Sequence, residues 1–458
     1  MNTETVLPPQ CSIRQLAHAS ERDQKARRGE LNSFQRSMLQ WNELHPYNAV
    51  HVVRISDALD LGRLRTAISG TLEAYGLTNL SLDQHQGTFH YQGGPAQCEI
   101  QVLSGQDASG RSLAAEIERQ LNAGFTEAEC SNPFRFFVEA HEDSFLLGLV
   151  YFHPIADAEA VARLLMQIVH AYEGKADPEP SDRMDLYPPR HDSLFRQRPA
   201  LLARKLAALP AAFQVMRRSL RPPCTDTQDL HTGFTLFSLA PESFHLLVDT
   251  ARKLGVTLHD LFLALLMKAL SPLAAARQRS GRRRNISIGT IVNLRGDLGP
   301  VNSRSFGLCL GSFMVTHPVP KDVTVMGLAR DIRGQTFKIK RHRLYLGVPL
   351  ELVFGGWMLR LFSTARKKKF FQKHYPLWGG ITNMNLNPIC KEAGGAGPAD
   401  YFRAVSTGPV TPLVLSITTI RDAVNIGLTY RTTVYPSAEI QRVQQRLLEA
   451  IRELEVRP

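Results

Sequence analysis

The sequence predicts a two-lobed α/β protein with a linker between the lobes. Three observations predict it: strand-like and helix-like patterns alternate in both halves, a proline-rich stretch interrupts them from Glu173 to Pro199, and the 458 residues exceed one average domain. With 43% hydrophobic and 21% charged residues the composition is that of a globular chain, which excludes collagen-like, coiled-coil and disordered classes. Fifty-four Lys plus Arg against 42 Asp plus Glu give +12, a balance that favours anionic partners such as phosphates, an acidic protein face or a membrane surface.

Residues 1–30 read as a mobile polar arm, lacking the apolar core of a signal peptide. The six cysteines lie far apart with no CxxC, which suggests neither a zinc cluster nor a disulfide framework and favours a reducing, cytoplasmic setting. The first lobe is expected over 31–175. Leu31 to Met38 opens ordered structure, Tyr47 to Ile55 (YNAVHVVRI) alternates like a strand, and Leu61, Leu64, Ile68 and Leu72 mark one stripe of a helix. Gly87 to Leu103 reads as two strands around a Gly-Gly-Pro turn, followed by a helix over Ala114 to Gly124. Phe136 to Ala140 and Phe145 to Phe152 (FLLGLVYF) form a hairpin whose second strand, apolar on both faces, belongs at the centre of a covered sheet. Val161, Leu164, Leu165, Ile168, Val169 and Tyr172 then repeat at helical spacing.

A linker is expected over 176–230, where prolines gather among charged and small residues, and a second lobe over 231–458. Strands are expected at Thr232 to Leu239, Asn285 to Leu294, Leu413 to Thr418 and Ala423 to Tyr430. Helices are expected at Ser243 to Leu254, Leu258 to Leu270 and Ala438 to Leu454. The most apolar segment, Leu261 to Ala276, is interrupted by Lys268 and Pro272 and reads as a buried helix rather than a membrane span.

Chemistry is expected where the central apolar strand ends, at Tyr151-Phe152-His153-Pro154-Ile155-Ala156-Asp157. A titratable imidazole at the mouth of a buried strand is followed by a tight turn and a helix. Taken alone, HxxxD also fits a turn histidine and an N-cap aspartate. His45 and the pair His374-Tyr375 are isolated, with no metal-ligand spacing nearby. No GxxxxGK[ST], GxGxxG after a strand, or HExxH occurs, so the simplest nucleotide, dinucleotide and zinc-protease readings fall away.

The strand, His153, proline turn, Asp157 and amphipathic helix resemble the HHxxxDG segment of the chloramphenicol-acetyltransferase-like superfamily, which includes the condensation domains of nonribosomal peptide synthetases, polyketide-associated acyltransferases and wax ester/diacylglycerol synthases. Phe152 stands where the first His often is, and Ala158 where Gly is common. Further motifs come in the family's order: LGVTLHDLFLA from Leu254 resembles its "GVT.ND..LAA" helix start, Val292-Asn293-Leu294-Arg295 its "VN.R" strand end, and Ile381-Thr382-Asn383 its late "SN" segment. The resemblance covers roughly residues 30 to 455 and implies two such lobes with an active-site channel between them.

It also implies a stand-alone acyltransferase that moves an acyl group from acyl-coenzyme A or an acyl carrier protein, supplied in trans, to an alcohol or amine. His153 would be the general base, since an imidazole with a pKa near 6.5 suits that task at neutral pH. Asp157 and Arg295 would be a structural ion pair, and Asn383 a contributor to oxyanion stabilisation. The thioester itself is the co-substrate, with no metal and no further cofactor implied. The Arg282-Arg283-Arg284 and Arg366-Lys367-Lys368-Lys369 runs read either as solvated loops or as contacts for the phosphates of coenzyme A or phosphopantetheine, or for an acidic carrier protein. Phe354 to Phe371 mixes apolar and basic residues like a segment that lines an acyl tunnel or rests on the inner face of a membrane. A non-catalytic relative that binds a thioester or recruits a partner enzyme is the alternative. A nucleic-acid partner is not expected, for no fold signature accompanies the charge.

Overall fold

The computed structural model describes residues 28–84, 86–103, 111–125, 131–175, 199–278, 281–298, 305–347, 352, 359, 361–393 and 397–454. The expected arm therefore lies outside the described residues up to residue 27, and its end, β1 (Arg28–Glu30), is a strand rather than a mobile segment. Helix α1 (Ser33–Asn42) starts at a capping box in which Asn32 and Gln35 satisfy each other's backbone N–H groups. There follow β2 (Asn48–Ile55), α2 (Leu61–Ala74), β3 (Leu80–Asp83), β4 (Thr88–Tyr91), β5 (Ile100–Val102), α3 (Arg111–Asn122), β6 (Phe134–Ala140), β7 (Phe145–Phe152) and α4 (Ala158–Tyr172).

The expected linker at 176–230 is only partly one. Residues 176–198 lie outside the described residues, but α5 (Pro199–Arg218) is a helix of 20 residues. Beyond it come β8 (Thr232–Leu239), α6 (Pro241–Leu254), α7 (Leu258–Ala276), β9 (Asn285–Asn293), the single turn α8 (Arg295–Leu298), β10 (Leu310–Pro318) and α9 (Val325–Arg341). The chain closes with α10 (Thr364–His374), β11 (Leu377–Asn385), α11 (Asn387–Glu392), β12 (Tyr401–Val405), β13 (Leu413–Ile420), β14 (Ala423–Arg431) and α12 (Ser437–Arg452).

Two larger sheets organise the lobes. The first has the order β12-β2-β7-β6-β5, with β7 inside it and all eight of its residues buried. Helices α2 and α4 cover one face through Leu64, Ile68, Leu165 and Ile168. The second has the order β10-β9-β11-β13-β14-β8, mixed in direction, with β11 parallel to both its neighbours. Helix α7 packs on it; it is long and apolar enough to cross a membrane, yet most of it is core. Its Lys268 reaches the surface and donates to the carbonyls of Pro320, Lys321 and Val323.

One strand crosses between the two halves. Strand β12, from the second half, pairs antiparallel with β2 at the edge of the first sheet, with Arg403 opposite His51. To reach that edge it passes against β14 at Gly427, where an added Cβ would stand 2.1 Å from the Arg403 carbonyl oxygen. Only glycine permits that approach.

Candidate functional site

The end of β7 brings its side chains to a cavity of about 320 Å³ lined by both sheets. Tyr151 and His153, two residues apart, face this cavity, while Phe152 between them turns into the core against Phe125. The replaced first position of the HHxxxDG pattern therefore lies outside the cavity wall. A short 3-10 turn, His153–Ile155, follows, held from outside by the Gln35 amide, which donates to the Pro154 carbonyl at 3.0 Å. The His153 backbone N–H donates to the Tyr47 carbonyl at 3.2 Å.

The imidazole of His153 is fixed on three sides. It stacks on Tyr47 with ring centroids 5.4 Å apart and meets the edge of Tyr151 at 5.6 Å. Its Nδ1 lies 3.0 Å from the Ala156 carbonyl oxygen, which only accepts, so Nδ1 carries the proton and the lone pair of the neutral ring is on Nε2. Burial lowers the His153 pKa below its ordinary 6.5, although the Ala156 bond and the Asp157 charge oppose the shift. The ring is thus neutral at pH 7.

Asp157 uses both carboxylate oxygens to hold the turn. Oδ1 accepts from the Ala160 N–H at 3.1 Å as N-cap of α4, and Oδ2 accepts from Arg295 Nη1 at 2.7 Å and from the Cys309 N–H at 2.8 Å. Both partners of the ion pair are almost fully enclosed. Burial works against the Arg295 charge and Asp157 outweighs it, raising the guanidinium pKa. Burial and the same carboxylate push the Cys309 thiol up to about 12, which leaves it un-ionised and inert.

His153, Asp157 and Arg295 are thus brought together as expected; the other expected residues are not. Asn383 is exposed and lies outside the cavity wall, which β11 leaves after Thr382. Arg282, Arg283 and Arg284 are exposed near a turn outside the cavity wall, where Arg284 donates to the Gly281 carbonyl. Lys367 pairs with Glu43 at 3.3 Å and Lys368 donates to the Gln228 carbonyl at 2.7 Å, so these two tie α10 down instead of standing free. Lys369 and Arg366 are exposed. Of Phe354 to Phe371, residues 354–358 and 360 lie outside the described residues; Leu359 and Phe371 are buried together with Leu44, and Leu361 is 82% exposed. His45 bonds the Pro46 carbonyl and His374 packs on Phe370, whereas Tyr375 lines the cavity.

Three wall residues were not foreseen. His51 and Arg403 face each other across β2 and β12, and Ser416 on β13 has a buried hydroxyl with no hydrogen-bond partner. His51 Nδ1 lies 2.7 Å from the Tyr401 hydroxyl, and burial and then the Arg403 charge hold its pKa well below 6.5. The available signal was a basic residue at an alternating position of an otherwise apolar strand, in YNAVHVVRI and in YFRAV.

No family model and no curated protein matches the sequence. Solved structures do match. The condensation domain of the monacolin K polyketide synthase MokA is similar over 94% of this chain and 98% of its own, with 14% identity and a TM-score of 0.67. The EpoB cyclization-docking bidomain from Sorangium cellulosum is similar over 99% and 94%, with 14% identity and a TM-score of 0.69. The X-domain from teicoplanin biosynthesis, in complex with OxyB, is similar over 98% and 94%, with 14% identity and a TM-score of 0.57. The chain has the two-lobed fold of condensation domains.

Proposed function

We propose that the chain is a condensation-type acyltransferase that forms an ester or amide from an acyl thioester and an alcohol or amine. The observation that carries this reading is the His153 ring, whose Nδ1–H is committed to Ala156 and whose Nε2 lone pair remains for a proton in a cavity shared by both lobes. In the step, Nε2 takes the proton of the acceptor O–H or N–H as its oxygen or nitrogen bonds to the thioester carbon. The tetrahedral adduct collapses, the carbon–sulfur bond breaks, and the departing thiolate takes the proton back from the imidazolium. Acyl-coenzyme A or a carrier-protein thioester is the donor, and Arg366 and Lys369 are the exposed cations of the α10 run for its phosphates or for an acidic carrier face. We place the reaction in the cytoplasm.

The test offers purified wild type and His153→Ala a panel of acyl-coenzyme A and acyl-carrier-protein donors with pooled alcohols and amines, with products read by mass spectrometry. Product from wild type that is lost in a folded His153→Ala supports the assignment; equal product from both rejects it. The second reading is a thioester-binding protein that recruits a partner enzyme, favoured by Phe152 in place of a histidine and by the likeness to an X-domain seen in complex with OxyB. Thioester binding without product on any panel, together with capture of a protein partner, selects it.

A further inference from the structure

Arg403 is the middle residue of β12, 4% exposed, in the wall of the cavity. Its Nε donates to Thr418 Oγ1 at 2.9 Å, and Nη2 donates to the carbonyls of Ile417 at 2.6 Å and Thr382 at 3.3 Å. Those acceptors lie on β11 and β13, so the guanidinium reaches from the first sheet to the second. All three are neutral. Among the described residues no carboxylate pairs with Arg403, and none accepts from Nη1. Nη1 is thus left without a partner, in a residue that lines the cavity.

Burial pulls the Arg403 pKa down to about 10, still well above neutral pH, so the side chain is charged. The two histidines in the same wall, His51 and His153, are held neutral. A fixed positive charge is thus enclosed with nothing to balance it, which is unfavourable unless a counter-charge arrives. Of the other enclosed arginines, Arg295 has Asp157 at 2.7 Å, while Arg431, whose pKa burial likewise lowers to about 10, does not line the cavity.

We infer that the ligand supplies the counter-charge: the cavity takes a molecule with a carboxylate on an apolar body, and Arg403 Nη1 donates to that carboxylate. A single open donor fits a singly charged carboxylate better than a phosphate, which needs several. Phe34, Met38, Trp41, Leu310 and Phe313 supply apolar walls for the rest of the molecule. This inference rests on the proposed acyl transfer only in its consequence, that one of the two substrates carries a free carboxylate, either an amino or hydroxy acid acceptor or the far end of a dicarboxylic acyl chain.

Binding is tested first, without turnover. Octanoate and octanamide, equal in length and different in charge, are titrated by calorimetry at pH 7.5 into wild type, Arg403→Met, Arg403→Lys and His153→Ala. Wild type and His153→Ala are expected to prefer octanoate by about tenfold or more. Arg403→Met is expected to lose that preference with octanamide binding unchanged, and Arg403→Lys to keep part of it. Equal affinity of wild type for the two compounds overturns the inference whether or not Arg403→Met folds; so does a full preference retained in a folded Arg403→Met. Turnover then separates the sources: amino acids against their amides as acceptors, and dicarboxylic against monocarboxylic acyl thioesters as donors, with one pair expected to show the Arg403-dependent preference. Carboxylate preference with turnover insensitive to His153→Ala rejects the mechanism alone, and the converse rejects this inference alone.

Discussion

Asp157 of the first lobe and Arg295 of the second form an enclosed ion pair of 2.7 Å that fixes the turn carrying His153. Asp157 also caps α4 and binds the Cys309 N–H, and Arg295 donates to the Ser305 carbonyl at 3.0 Å. Geometry this complete makes the pair a clamp between lobes and a support for the His153 turn.

Breaking the pair on one side should therefore cost stability before it costs chemistry. Asp157→Asn keeps a capping oxygen but leaves Arg295 enclosed without a counter-charge, and is expected to destabilise the fold by about 3–5 kcal/mol. Urea denaturation checks this. The double variant Asp157→Asn with Arg295→Met should recover part of the loss, because no orphaned charge remains.

Stability should fall on acidification below pH 6.5. Burial depresses the pKa of His51 and His153, and that of His259 to about 4, so between those values and 6.5 the unfolded chain binds more protons than the folded one. Stability then rises with pH through that window and levels off above 6.5. The urea midpoint at pH 5 is expected to lie below that at pH 7.5, and His259→Gln should flatten the slope.

The rate of the proposed acyl transfer should follow the same sign. With His153 as base and its pKa depressed, kcat/KM is expected to be flat above pH 6.5 and to fall with an acid limb centred below 6.5. A limb centred above 7 in a pH–rate profile contradicts the buried, neutral imidazole.

Gly427 sets how β12 joins the first sheet. Gly427→Ala sets a Cβ against the Arg403 carbonyl, a backbone atom that cannot turn aside, and is expected to cost roughly 3 kcal/mol. Thermal unfolding measures it, with Gly70→Ala as the control, since nothing lies within 4 Å of the added atom there.

Ser416 is enclosed in the cavity wall and Asn383 is exposed outside it, so their substitutions should read differently. Ser416→Ala removes an enclosed hydroxyl that has no hydrogen-bond partner, and is expected to leave stability unchanged or raise it by up to about 1 kcal/mol, read by urea denaturation. Asn383→Ala, exposed and outside the cavity wall, should leave kcat/KM within about twofold, which steady-state kinetics checks.

Local pattern determined much of this protein. The alternation in YNAVHVVRI, the eight apolar residues of FLLGLVYF, the helical spacing from Val161 to Tyr172 and the Asp157 cap are short-range signals, and each element formed within a few residues of its expected place. Motif order placed His153, Asp157 and Arg295 in one site because each ends or starts an element that its own sequence specifies. Elements with weaker local signals were missed: α5 lies partly in a proline-rich stretch, and β12 is only five residues long. The partners of Asn383, Lys367, His51 and Arg403 depend on which strands become neighbours, and a chain read in one dimension does not carry that. Arg403 stands in the cavity wall because β12 crosses into the first sheet, an arrangement fixed by long-range pairing and by the missing side chain at Gly427.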